Sequence, residues 1–103
     1  MAAYLIVYET ITDPSKFSRY VKSVDPVITR RDGRLVASGP PDVLEGEFPL
    51  KHALVFEWPT RQAASDFWHS EEYTEIKKLR EGAAVIHAII IEGIHWVAQS
   101  ANA

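Results

Sequence analysis

The stretch YLIVYET, Tyr4–Thr10, has the length and the β-branched and aromatic content of a strand, yet it does not alternate between apolar and polar residues. Leu5 and Val7 point one way along it; Tyr4, Ile6 and Tyr8 point the other. HALVFEW, His52–Trp58, behaves alike, with Ala53 and Val55 set against Leu54 and Phe56. So does VIHAIIIEGI, Val85–Ile94, with Ala88 and Ile90 against Ile89 and Ile91. An antiparallel sheet with one wet face reads apolar in and polar out. Three strands without that pattern predict a sheet covered on both sides.

The segments between the strands are helical. Asp13 is placed to cap a helix that opens at Pro14, where no amide hydrogen is needed. Phe17, Tyr20, Val21, Val24, Val27 and Ile28 then recur at helical spacing. A second Asp-Pro pair, Asp25-Pro26, predicts a kink or a restarted helix. RDGR makes a turn in which Gly33 is free to take positive φ, and RLVAS follows as a short strand. GPPDVLEGEFP holds three of the six prolines and two of the five glycines, so it reads as an irregular edge with a brief strand at Val43–Glu45. Thr60 caps a helix Arg61–His69 that presents Ala63, Ala64, Phe67 and Trp68 on one side. Ser70 recaps, with Glu71 and Glu72 in the first turn of a helix that Gly82 stops.

The order βαββαβ predicts an α+β, ferredoxin-like domain: a four-stranded antiparallel sheet with its helices on one face. It occupies residues 1–95, with a C-terminal tail, 96–103, anchored at Trp96. Two helical segments cover one sheet face only. Several hundred Å² of uncovered apolar sheet is rare on a monomer, so a second copy is the expected cover, giving a homodimer packed through its sheet faces.

Composition narrows the function classes. With 103 residues, 47% apolar and 24% charged, the chain is an ordinary globular domain. A net charge of −3 argues against a nucleic-acid footprint. The absence of cysteine removes thiol catalysis, disulfides and cysteine-ligated zinc. The N-terminus does not read as a secretion leader, and AAVIHAIII falls far short of the roughly 20 apolar residues that cross a bilayer. A cytoplasmic protein without membrane partners is expected.

Arg80 is the anomaly. At about 100° per residue it falls between Tyr73 and Ile76, inside the apolar stripe of its helix. It either carries its head out to water, pairs with a carboxylate among Glu9, Glu45, Glu57 and Glu92, or grips the acidic group of a ligand. His52 and His87 begin strands and are candidates for acid–base work or for satisfied strand-end groups. No histidine spacing makes a metal site, and no phosphate-loop, dinucleotide or nucleophile-elbow pattern is present, so neither metal nor cofactor is expected. Glu9 and Glu57 fall near the ends of strands expected to lie side by side; they are either a coupled carboxylate pair or two solvated ends. Tyr4, Tyr8, Trp58, Phe67, Trp68 and Tyr73 supply core, dimer contacts or the walls of a cavity.

TDPSKFSRY, DGRLVASG, VLEGEFP, LVFEWPTRQAASDFWHSEEYTEIKKLR and IIIEG, in that order and over Tyr4 to Gly93, resemble the bacterial domain-of-unknown-function family 1330. The resemblance implies the dimeric α/β-barrel arrangement of the ferredoxin-like superfamily and supplies no reaction. Its wider relatives include cofactor-free monooxygenases, isomerases, polyketide cyclases and haem-handling enzymes. Two readings follow. In one, a small acidic or aromatic molecule is held by Arg80, Glu45 and Tyr73, walled by Trp68 and Tyr8, and undergoes cofactor-independent proton transfer through His52 or His87. In the other the chain is a non-catalytic structural or regulatory homodimer with an internal Arg80–Glu45 brace.

Overall fold

The computed structural model describes residues 1–94; His95 and the expected anchor Trp96 lie outside the described residues. The elements run β1 (Ala3–Ile11), α1 (Pro14–Arg30), β2 (Arg34–Gly39), β3 (His52–Trp58), α2 (Arg61–His69), α3 (Glu71–Lys77), a 3-10 turn (Lys78–Arg80) and β4 (Ala84–Glu92). The strands form one antiparallel sheet in the order β2-β3-β1-β4. This is the expected α+β ferredoxin-like arrangement.

Each helix starts where its cap predicts. The side chains of Asp13, Thr60 and Ser70 accept from the amides of Lys16, Ala63 and Tyr73 at 3.1, 3.0 and 3.1 Å. Four local expectations change. The first helix runs unbroken through Pro26, because Pro26 and Lys22 are both exposed: the carbonyl that loses its amide partner faces water, while Val24, Val27 and Ile28 stay buried. Gly33 does not supply the positive φ of its turn; Asp32 does, at 70°. Gly33 is needed for space, since a Cβ there would sit 2.7 Å from the Trp58 ring. No strand forms at Val43–Glu45, where Leu44 is 95% exposed and Gly46 takes φ 79°. The last helix stops at Lys77, and the tighter 3-10 winding carries the chain through Arg80 to Gly82 at φ 73°.

The register assigns every strand residue to a face. On one side Leu5 lies between Phe56 and Ile90, Val7 between Leu54 and Ala88, and Glu9 between His52 and Ile86. Leu5, Val7 and Glu9 are buried, so this side carries the helices. On the other side Tyr4 lies between Glu57 and Ile91, Ile6 between Val55 and Ile89, and Tyr8 between Ala53 and His87. Among the described residues no helix covers that side, and Val85, Ile89 and Ile91 are 50, 47 and 47% exposed.

The core gathers around Trp58, Phe67 and Tyr73, with Trp58 stacked on Phe67 at 4.9 Å and Phe67 tilted against Tyr73 at 4.6 Å. Among the described residues no helix is long and apolar enough to cross a membrane.

Candidate functional site

The two helical arms treat the sheet differently. α2 lies directly on β1, β3 and β4, whereas α1 leans against α3 and the 3-10 turn. A cavity of about 470 Å³ remains between α1 and the sheet. Val7, Val24, Leu54 and Phe56 are among the apolar residues of its wall, and Asp25, Thr29 and Arg34 are polar positions on its lining. Its size is that of a site for a small organic molecule.

Two groups of polar atoms break the apolar wall. The first is Glu9, in phase with Leu5 and Val7 and only 6% exposed. Burial pushes its carboxyl above the ordinary value of 4.5, and the charges of His52 and Arg80 offset part of that. The second is the pair Tyr20 and Tyr73, backed by Arg80, which does not itself line the cavity. The hydroxyls of Tyr20 and Tyr73 lie 2.8 Å apart, and Arg80 Nη2 donates to Tyr73 Oη over a long 3.4 Å. The Arg80 guanidinium also sits 5.3 Å from the centre of the Tyr20 ring. Burial opposes the charge of Arg80, but bonding to Tyr73 and Tyr20 outweighs it and secures the cation. Burial first, and then the neighbouring Tyr73, raises the Tyr20 phenol far above the ordinary tyrosine range, so it stays protonated.

Arg80 therefore does bury much of its length, and its partners are tyrosines. Glu45 stands exposed in the segment between β2 and β3 and makes no bond to Arg80 among the described residues, so the expected brace is absent. Tyr73 and Trp68 line the cavity, their rings 5.0 Å apart, with the Lys77 ammonium 5.2 Å from the Trp68 ring centre. His52 lies on the helix side beside Glu9, its Nε2 3.2 Å from Ser38 Oγ. His87 and Tyr8 are paired across the opposite face, with the sheet between them and the cavity; Tyr8 meets Phe48 edge-on at 5.2 Å. The two histidines thus do not share a site, because one is in phase with the buried set of its strand and the other is not.

The carboxylate pair is also separated. β1 and β3 are neighbours as expected, but they run antiparallel, so Glu9 meets His52 while Glu57 meets Tyr4 at the far end. The opposite phase puts Glu57 on the open face, where it pairs with Arg34 Nε at 2.8 Å and accepts from Tyr4 Oη at 3.4 Å. Glu9 as a lone buried acid and Tyr20 as a cavity residue were both missed by sequence reasoning. The period of two shared by Leu5, Val7 and Glu9 was the available signal for the first. For Tyr20, an apolar helical stripe ending in a hydroxyl gave none. Among the described residues no three metal-ligating side chains gather.

Solved structures of the same fold are several. A protein of unknown function from Rhodopseudomonas palustris is 20% identical, with a TM-score of 0.74 over 91% of this chain and 83% of that one. A cofactor-independent oxygenase from Streptomyces nogalater, SnoaB, is 9% identical, with a TM-score of 0.65 over 94 and 97%. A protein of unknown function from Bacteroides fragilis, described as dimeric and ferredoxin-like, is 13% identical, with a TM-score of 0.62 over 89 and 96%. At these identities the likeness concerns the fold. No curated protein matches the chain. A family model, however, matches residues 2–94, nearly the whole chain, and the protein accordingly belongs to the family described as Domain of unknown function (DUF1330).

Proposed function

We propose that this protein binds a small, largely apolar or aromatic molecule in the cavity beneath α1 and catalyses a proton transfer on it without a cofactor. The observation that carries this reading is Glu9: a carboxyl group buried among the apolar lining residues Val7, Leu54 and Ile86, on a central strand. A carboxylate there is poorly solvated, so its basicity rises toward the value a general base needs near neutral pH. His52, beside it on β3 and half-buried, is placed to exchange that proton with the outside. Trp68 and Tyr73 exclude water, and Arg80, which lies behind the lining and is bonded to Tyr73, supplies positive charge through that hydroxyl for oxygen atoms that gain electron density. The fold shared with a cofactor-independent oxygenase supports the cofactor-free part of the reading as an analogy of scaffold.

The test is hydrogen exchange into a bound ketone. A panel of small aromatic ketones is screened by thermal shift, and those that raise the melting temperature are incubated in deuterated water. Wild type is expected to exchange the hydrogens next to the carbonyl, and Glu9→Gln to do so at least about 100-fold more slowly. If nothing in the panel stabilises the protein, or Glu9→Gln exchanges as fast as wild type, the reading fails.

The open sheet face supports a homodimer built from two such faces. Ile6, Val55, Ile89 and Ile91 form an apolar patch on a sheet face that no helix among the described residues covers. A twofold contact would cover the same patch on both copies. Tyr8, His87 and the Arg34–Glu57 pair then belong to that contact.

A further inference from the structure

We infer that Tyr20 is the hydrogen-bond donor for an oxyanion in the cavity, held in that role by Tyr73 and Arg80, and that the substrate is an enolisable ketone on an apolar or aromatic ring. The inference rests on the proposed cavity site and names the chemistry it takes.

The direction of the hydrogen bonds decides it. Arginine only donates, so Arg80 Nη2 gives a proton to Tyr73 Oη at 3.4 Å. Tyr73 is 1% exposed, and the Tyr20 oxygen, 2.8 Å away, is its side-chain hydroxyl's acceptor among the described residues. Were Tyr20 to donate instead, the Tyr73 proton would be buried without a partner, which is costly. The chain therefore runs Arg80 to Tyr73 to Tyr20. The Tyr20 proton is left over, on a side chain that lines the cavity alongside Glu9. The positive charge at the head of the chain acts against the larger effect of burial at Tyr20 and strengthens its hydroxyl as a donor. One buried acid and one donor in a largely apolar pocket suit a substrate with one carbonyl oxygen and one acidic C–H bond.

The step balances within these groups. The Glu9 carboxylate takes the proton from the carbon next to the carbonyl, the C–H electron pair becomes a carbon–carbon double bond, and the carbonyl π pair moves onto oxygen. That oxyanion accepts from Tyr20 Oη. Where the substrate carries a carbon–carbon double bond β,γ to the carbonyl, Glu9 then returns the same proton to the far carbon of the dienolate as the carbonyl re-forms. The result is an isomerisation with no other reactant.

Ring-substituted 2-naphthols of graded acidity, whose naphtholates resemble a cyclic enolate, test this, with 2-methoxynaphthalene as the probe that carries no acidic proton. Binding is read by the naphtholate absorbance band and by titration, in wild type and in Glu9→Gln, which stands for the protonated acid present alongside an enolate. Affinity is expected to rise with naphthol acidity, and Tyr20→Phe to lose about 10-fold or more for naphtholates while binding 2-methoxynaphthalene as wild type does. Arg80→Met and Tyr73→Phe are expected to weaken the same preference, and Arg80→Lys to restore part of it. If 2-methoxynaphthalene binds but affinity is flat with acidity in wild type, or Tyr20→Phe weakens both probe classes equally, Tyr20 is not the oxyanion donor and the cavity site still stands. If neither probe class binds, both the cavity site and this inference fall. Wild-type acidity dependence decides the matter even if a variant does not fold.

Discussion

The hydroxyls of Tyr20 and Tyr73 meet 2.8 Å apart although 53 residues separate them in the chain. The bond joins α1 to α3, the helix on which α1 leans together with the 3-10 turn. Tyr73→Phe removes the hydroxyl that links Arg80 to Tyr20 and is expected to cost about 1 kcal/mol, or roughly 4–8 °C in melting temperature for a domain of this size. Tyr73→Ala also empties a fully buried ring site and is expected to cost about 3–5 kcal/mol. Paired thermal melts separate the two; Tyr73→Phe melting as wild type does would mean the hydroxyl contributes nothing, and equal losses in both variants would mean the ring does not.

Glu9 makes stability depend on pH in a defined direction. Its carboxyl binds a proton more tightly folded than unfolded, so its contribution is fully present below 4.5 and is lost as pH rises through the higher folded value. Glu9→Gln should therefore melt at a temperature closer to wild type in acid and gain on it as pH rises from 4.5 toward neutrality. A constant difference across that range would remove Glu9 as the cause.

Arg80 and His52 both hold the Glu9 carboxyl down against the effect of burial. Replacing either charge with a neutral side chain, Arg80→Met or His52→Phe, should push the folded value higher still, so the decline in stability that begins near 4.5 continues to a higher pH and ends deeper. Melting curves of the single variants and of each combined with Glu9→Gln check this: the shift should vanish in the combined variants.

The open face yields an association test. Wild type is expected to sediment as two chains at micromolar concentration. Ile89→Arg replaces a residue that lies opposite Ile6 at the middle of the patch and occurs twice in a twofold contact. Loss of two buried isoleucines amounts to about 3 kcal/mol or more, on the order of 100-fold in Kd, enough to give single chains at that concentration. Wild type sedimenting as one chain would sink the dimer outright.

Gly33→Ala tests the packing of the turn between α1 and β2. The added methyl would lie 2.7 Å from two ring atoms of Trp58 and 2.9 Å from Ile28, both on the buried side of the domain. Overpacking against a ring already stacked on Phe67 should cost about 1–3 kcal/mol in a thermal melt.

Much of this architecture was written locally. Asp13, Thr60 and Ser70 announced three helix starts because a cap needs only its own next three residues. The apolar character of both strand faces, visible in Leu5 and Val7 against Tyr4 and Ile6, foretold a sheet whose second side lacks cover. Of the two rings expected as cavity walls, Trp68 lines the cavity and Tyr8 lies on the opposite sheet face, because helical spacing places a ring toward the interior while a strand's period of two does not say which side that is.

What stayed hidden depended on distant chain. A period of two states which residues share a side of one strand, but not which side the helices take or which end of the next strand lies opposite. Antiparallel register alone sent Glu9 to His52 and Glu57 to Tyr4, and so turned a supposed carboxylate pair into one buried acid and one surface ion pair. The space that makes Glu9 and Tyr20 neighbours of a cavity exists because α1 rests on α3 rather than flat on the sheet, a balance of side-chain volumes contributed by segments far apart in sequence.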